Sequence, residues 1–268
     1  MHSAVSGAAL VAQSLFAALF PSDCRLCGAP LESISRLPVC SVCLGAIRPT
    51  SARACEICGE NLPVHSPASI CQPCADEKPY FAQAVAYGAY DGELRELIHL
   101  LKYDRILPAA GFLGGLLAEA IAKLPADSQT AVIVPVPLHA SRRRDRGFNQ
   151  AELIAKAALK GMRSSPLELA AGALERGRET ISQIGLTRPQ RNQNIRGAFR
   201  VAHLNRVAGR VVVLADDVMT TGTTASECSR VLLKAGARKV YVVTVARTLK
   251  MSNAGFEAPQ LEIAAHAS

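Results

Sequence analysis

Apolar positions along the chain fall into short runs and helical stripes that alternate. Val211 to Leu214 is a run of four, VVVL, with β-branched weight, and it reads as a buried strand. Val240 to Ala246 (VYVVTVA), Ala131 to Val134 and Val85 to Tyr90 read the same way, with Leu167 to Leu174 and Ala198 to Val201 as further strands. Asp91 to Lys102 carries Leu94, Leu97, Ile98 and Leu101 at helical spacing, which puts Arg95, Glu96 and Lys102 mostly on the outer side. Pro108 starts another helix through Lys123 despite Gly111, Gly114 and Gly115, and Gly147-Phe148-Asn149-Gln150 opens one through Leu159. Ala225 to Ala235 has Val231, Leu232 and Ala235 on one side, and Arg188 to Ile195 is expected as a short helix. Strands alternating with helices predict an α/β chain.

The ends differ from this pattern. Ala8 to Phe20 is largely apolar, without a basic start or a clear cleavage site, and too short to span a bilayer. It reads as an amphipathic or buried helix ended by Pro21, and no other stretch is long enough for a membrane span. From Lys250 onward periodicity stops, and a frayed tail is expected. Arg176 to Arg196 is polar and basic, as expected of a functional lid or a disordered loop.

The densest chemistry follows the Val211 run. Asp216 and Asp217 lead into Thr220-Thr221-Gly222-Thr223-Thr224, just before a helix. Backbone N–H groups converge at such a strand-turn-helix start, the threonine hydroxyls add donors, and Gly222 lacks the Cβ that would block a phosphate. The paired acids cannot bind that phosphate, but they suit vicinal sugar hydroxyls or a metal-coordinated sugar. Replacing both by Asn is expected to cripple ligand binding and leave the fold intact. The plainer alternative is a turn in which Thr and Asp only cap.

Eight of the nine cysteines form CxxC pairs: Cys24/Cys27, Cys40/Cys43, Cys55/Cys58 and Cys71/Cys74. The first four recur at a fixed offset (24→55, 27→58, 40→71, 43→74), and Gly28 and Gly59 follow the first pair of each unit. Two closed four-cysteine zinc sites in a reducing cytoplasm are expected, structural rather than catalytic. The repeat favours consecutive pairing; interleaved pairing stays open. His65 reads as a solvated loop residue, His99 as a partly buried structural one, and Cys228 as packing.

Net charge is +8, from 30 Lys and Arg against 22 Asp and Glu, which suits nucleic acid, nucleotides or pyrophosphate without choosing among them. The turn Pro135-Val136-Pro137-Leu138-His139 ends a strand and precedes Arg142, Arg143, Arg144 and Arg146. This is a pyrophosphate neighbourhood, a solvated basic loop or a nucleic-acid contact.

The Asp216 to Thr224 stretch resembles the phosphoribosyl-pyrophosphate loop of type I phosphoribosyltransferases. With the zinc repeat, Pro135 to Gln150, the R-x-x-x-T-x-x-Q-x-x-L motif (Arg176, Thr180, Gln183, Leu186) and the R-x-x-N-x-x-x-A-F motif (Arg191, Asn194, Ala198, Phe199), nearly the whole chain is similar to the ComF family. Ala215 departs mildly, standing where a bulkier residue often precedes the acids. The resemblance implies a type I phosphoribosyltransferase-like, mostly parallel sheet flanked by helices at 79–249. It implies a double zinc ribbon at 24–78, with an N-terminal helix at 1–23 and a flexible tail at 250–268.

By the same resemblance, Asp216 and Asp217 hold the ribose, Thr220 to Thr224 the 5′-phosphate, and Pro135 to His139 with Arg142 and Arg146 the pyrophosphate. Arg178, Thr180, Gln183, Arg188 and Arg191 belong to a hood loop. Mg²⁺ accompanies phosphoribosyl pyrophosphate, and the acceptor and the catalytic groups are unassigned. Partners are single-stranded DNA, competence proteins and a second copy of the chain, in DNA uptake or natural transformation. A transferase and a DNA-handling protein with a regulatory or vestigial nucleotide site both remain open.

Overall fold

The computed structural model describes residues 22–31, 35–50, 53–63, 65–162, 165–178 and 194–249. The helix expected before Pro21, the tail from Lys250, the hood residues Thr180, Gln183, Arg188 and Arg191, and most of the short helix expected from Arg188 lie outside them.

In chain order the elements are α1 (Ser41–Ala46), α2 (Gln72–Asp76), β1 (Gln83–Ala89), α3 (Gly92–Lys102), α4 (Ala109–Ala122), β2 (Val132–Pro135), α5 (Ala140–Arg146), α6 (Gln150–Gly161), β3 (Glu168–Leu169), β4 (Leu174–Arg176), β5 (Phe199–Val201), β6 (Val211–Met219), α7 (Thr223–Lys234) and β7 (Lys239–Arg247). Five strands form one sheet in the order β1-β7-β6-β2-β3, with each pair parallel. Both faces are covered, which is why β6 and β7 are near-continuous apolar runs rather than alternating ones.

On one face Leu97 and Leu101 of α3, Leu113 and Leu117 of α4 and Ile154 of α6 pack with Val211, Val213, Tyr241 and Val243. On the other, Cys228 and Leu232 of α7, Leu174 and Phe199 pack with Val212, Leu214, Val240 and Val242. Gly114 shows why α4 tolerates glycine, whose helix cost is about 1 kcal/mol relative to Ala. A Cβ there would lie 2.5 Å from the Ala157 Cβ, so the glycine lets α4 and α6 approach closely.

Three expectations are corrected. Leu167 to Leu174 is not one strand: it splits into β3 and β4 around Gly172, whose φ of 76° turns the chain, and β4 pairs antiparallel with β5 in a second, two-stranded sheet. The arginine run after His139 is a short helix, α5, capped by Gly147 at φ 86°, rather than a loop. Lys102 is not on the outer side. It lies at the C-terminal end of α3, where the helix meets the end of β6, and its side chain is only 14% exposed.

The zinc-ribbon region sits against the edge strand β1. The Ala84 N–H donates to the Ile57 carbonyl at 2.7 Å and the Thr50 N–H to the Tyr87 carbonyl at 2.9 Å, so backbone of an otherwise open edge is occupied. Cys24 and Cys43 join the core on the α3 side of the sheet, and Cys55, Cys58, Cys71 and Cys74 the core on the α7 side.

Candidate functional site

Consecutive strand residues leave a sheet on opposite faces, and this divides the paired acids. Asp217 lies on the α3/α6 face and is 3% exposed. Lys102 forms an ion pair with its Oδ2, and Gln150 Nε2 donates to its Oδ1 at 2.9 Å. Gln150 is held in turn by Arg146 Nη1, which donates to Gln150 Oε1 at 2.6 Å. Asp216 is half-buried on the other face, within electrostatic reach of Cys228 and Arg176, and its Oδ1 accepts the Asp217 N–H at 2.9 Å.

The charges are tuned accordingly. Burial would raise the Asp217 carboxyl, but the Lys102 ammonium beside it and hydrogen bonds from Lys102 and Gln150 hold it below the usual carboxylate range. Burial, reinforced by the Asp217 charge, pushes Asp216 well above that range. Lys102, which burial would lower, is raised by Asp217.

Beyond Met219 the chain turns through exposed Thr220 and half-buried Thr221 to Gly222, the N-cap of α7, whose φ is 78°. Glycine is therefore required by the left-handed backbone as well as by space; a Cβ would also meet Met219 Cε at 3.3 Å. The helix begins at Thr223, two residues before the expected start, so Thr223 and Thr224 form its first turn. Its own ladder starts with the Ser226 N–H on the Gly222 carbonyl at 2.8 Å. The earlier N–H groups are thus directed out of the helix end, beside the Thr221 and Thr223 hydroxyls, which lie 2.9 Å apart.

The second turn abuts the first. Pro135 is registered against Ala215, and the Val136 N–H donates to the Ala215 carbonyl at 2.8 Å. Pro135 and Val136 are buried, while Pro137, Leu138 and His139 are half-buried. The turn is tied to α6 by Asn149, whose Nδ2 donates to the Val136 carbonyl at 3.0 Å while its Oδ1 caps Ala151 N–H. Arg142, Arg143 and Arg144 are exposed, and Arg146 packs over the Tyr103 ring at 5.7 Å. Burial and the Arg142 charge lower the Arg176 guanidinium, against the pull of Asp216, which links Arg142, Arg176 and Asp216 electrostatically.

Of the hood residues only Arg178 is described. It donates to the Asn194 and Arg196 carbonyls at 2.8 and 3.0 Å, closing the base of the segment that contains the others.

The cysteines assemble as consecutive units: Cys24, Cys27, Cys40 and Cys43 in one cluster, and Cys55, Cys58, Cys71 and Cys74 in the other. Tetrahedral Zn–S bonds of about 2.3 Å require sulfurs about 3.8 Å apart. The observed Cys24–Cys43, Cys27–Cys40 and Cys58–Cys71 separations are 3.9, 3.8 and 3.6 Å. The repeat extends to backbone detail: isolated bridges join Asp23 to Pro30 and Ala54 to Asn61, and Gly28 and Gly59 have φ of 74° and 69°.

A family model described as the double zinc ribbon domain matches residues 15–75. DNA utilization protein YhgH of Escherichia coli (strain K12) is 35% identical over 234 residues, covering 85% of this chain and 98% of that protein. Competence protein F of Haemophilus influenzae is 32% identical over 218 residues, covering 80% and 92%. The chain belongs to the ComF family. Competence protein ComFC of Bacillus subtilis is 25% identical over 217 residues, covering 78% of this ComF chain and 84% of its own. Among solved structures, the allosteric regulatory enzyme of purine biosynthesis matches 52% of this chain and 26% of its own at 26% identity, with a TM-score of 0.32.

For this ComF-family member the expected architecture holds: a parallel α/β sheet flanked by helices, behind a region with two four-cysteine zinc sites. Among the described residues no helix is long and apolar enough to cross a membrane. Two site features escaped the sequence. Gln150 reads only as a helix opener, and Lys102 only as an outer residue, because helical spacing carries no information about what meets a helix end. The one available signal was indirect: adjacent acids at a buried strand end need a cation.

Arg247 was also missed. It ends β7 at 3% exposure, pairs with Met219 in the register, and donates from Nη2 to Glu60 Oε2 at 3.0 Å and Cys58 Sγ at 3.6 Å. The second zinc site is therefore joined to Met219, the residue preceding the threonine turn, through Arg247: its guanidinium reaches Cys58 and its backbone pairs with Met219.

Proposed function

We propose that this ComF-family chain binds phosphoribosyl pyrophosphate across the C-terminal ends of β2 and β6, in the service of DNA uptake or utilization. The observation that carries this reading is the register of the two turns. The Thr220–Thr224 turn and the Pro135–His139 turn leave adjacent parallel strands, with both acids between the strand cores and the turns. In open α/β sheets this end of the strands is where ligands bind. The names of the relatives, competence and DNA utilization proteins, support the cellular context.

In this reading the first turn of α7 and the threonine hydroxyls take the 5′-phosphate, half-buried Asp216 takes the ribose hydroxyls, with Asp217 joining it only by exchanging its Lys102 or Gln150 contact for the sugar, and the Pro135–His139 turn with Arg142 and Arg146 takes the pyrophosphate. Mg²⁺ comes with the ligand, held mostly by its oxygens and water, and neutralises pyrophosphate charge. For a transfer reaction the chain's own contribution is positioning and charge stabilisation at the sugar, and no protein nucleophile is needed.

Titration calorimetry with Mg²⁺ and phosphoribosyl pyrophosphate tests the reading, with ribose 5-phosphate as the partial ligand. The wild-type chain should bind both, the intact ligand more tightly. Gly222→Val should weaken both at least tenfold, about 1.4 kcal/mol, because a β-branched residue is forced into the left-handed region at the cradle. Absence of binding by the wild type overturns the reading. Pyrophosphate release in the presence of a panel of bases then distinguishes a transferase from a binding protein.

The exposed helix α5 favours a second reading, in which its arginines contact single-stranded DNA; none of its residues is buried. Alanine at Arg142, Arg143 and Arg144 should reduce the salt slope of DNA binding by about 0.7 per lost contact. An unchanged affinity at every salt concentration assigns these arginines to the pyrophosphate or to solvent.

A further inference from the structure

We infer that Lys102 is the resident cation of Asp217, a positioning residue that fills the place a divalent metal would take beside that carboxylate, so that metal enters this site only with its ligand. The inference deepens the proposed function and rests on it in treating the two acids as the ligand side of the site.

Adjacent carboxylates at the end of a buried strand invite a metal ion. Here both oxygens of Asp217 are already committed, Oδ2 to Lys102 and Oδ1 to Gln150. Lys102 is delivered by the last turn of α3, where the helix dipole favours a cation. It is fixed there by packing, since Leu97, Ile98 and Leu101 of the same helix are fully buried. Gln150 cannot easily turn away, because Arg146 holds its oxygen at 2.6 Å. Mg²⁺ demands near-octahedral oxygens at about 2.0–2.1 Å and gives up water reluctantly. It would have to displace a neutralising ammonium from a site nearly closed to solvent. Lys102 also lies within electrostatic reach of Asp216.

The test uses the zinc-loaded full chain and Mn²⁺ alone, with unbound Mn²⁺ read by electron paramagnetic resonance. The wild type and Lys102→Arg should take up no Mn²⁺ that depends on Asp217. Lys102→Met, similar in size but uncharged, should bind one equivalent at least tenfold more tightly than the wild type, and Lys102→Met with Asp217→Asn should lose it again. If Lys102→Met folds poorly, millimolar Mn²⁺ should raise its unfolding midpoint and leave that of Lys102→Arg unchanged. The inference is overturned if the wild type already binds an equivalent that Asp217→Asn removes. It is equally overturned if Lys102→Met neither binds Mn²⁺ nor is stabilised by it. No phosphoribosyl ligand is present, so failure here leaves the calorimetric reading standing, and failure there leaves this result intact.

Discussion

Cys74→Ser should strip one zinc from each chain and unfold the second ribbon unit. Structural zinc contributes an apparent free energy of about 10–16 kcal/mol, comparable to or larger than the whole stability of a typical domain, about 5–15 kcal/mol. The loss cannot be absorbed locally, because Cys55, Cys58, Cys71 and Cys74 belong to the core on the α7 side of the sheet. It also removes a partner of Arg247, whose Nε and Nη1 have no hydrogen-bond partner among the described residues and whose Nη2 spans Cys58 and Glu60. Because Arg247 pairs with Met219, and the Thr248 N–H donates to the Met219 carbonyl at 3.0 Å, the damage should reach the threonine turn. Cys43→Ser should also cost one zinc but leave that turn undisturbed, since the first unit packs on the opposite face. Elemental analysis and ligand titration of both variants check this. Two zinc ions retained in either variant, or equal ligand losses in both, would contradict it.

Asp217→Asn should destabilise the chain by about 3–5 kcal/mol, the usual cost of leaving one partner of a buried ion pair uncompensated. This reverses the expectation from sequence that amides at 216 and 217 leave the fold intact. The reason is Lys102, whose ammonium loses its buried counterion. Asp216→Asn, at a half-buried position without that ion pair, should cost much less and is the better probe of sugar binding. Lys102→Met with Asp217→Asn should recover part of the loss. Urea unfolding of the four chains measures these differences; equal midpoints for wild type and Asp217→Asn would refute the pair's structural role. The pH dependence has a definite sign. The Asp217 carboxyl is held below its unfolded value of about 3.9, so its stabilisation is complete above that value and is lost as pH falls through the lower folded one. Asp217→Asn should lack this acid-sensitive contribution.

What the sequence determined is whatever depends on residue type and short spacing. The eight cysteines at a fixed offset specify two four-cysteine units, since CxxC geometry is local. The Val211 and Val240 runs specify buried parallel strands, since both faces of each are apolar. The acids and threonines around Gly222 mark a strand-turn-helix, since a left-handed residue before a helix requires little beyond itself. Tertiary structure alone decided which residues from distant segments meet there. It joined the cysteines as consecutive rather than interleaved pairs, and it broke the Leu167 to Leu174 run at Gly172. It brought Lys102 and Gln150, 115 and 67 residues before Asp217, onto one carboxylate, and Arg247 onto Cys58. Periodicity states which face of a helix is apolar, whereas the partner of a charge at its end is fixed only when the sheet places that end beside another strand's terminus.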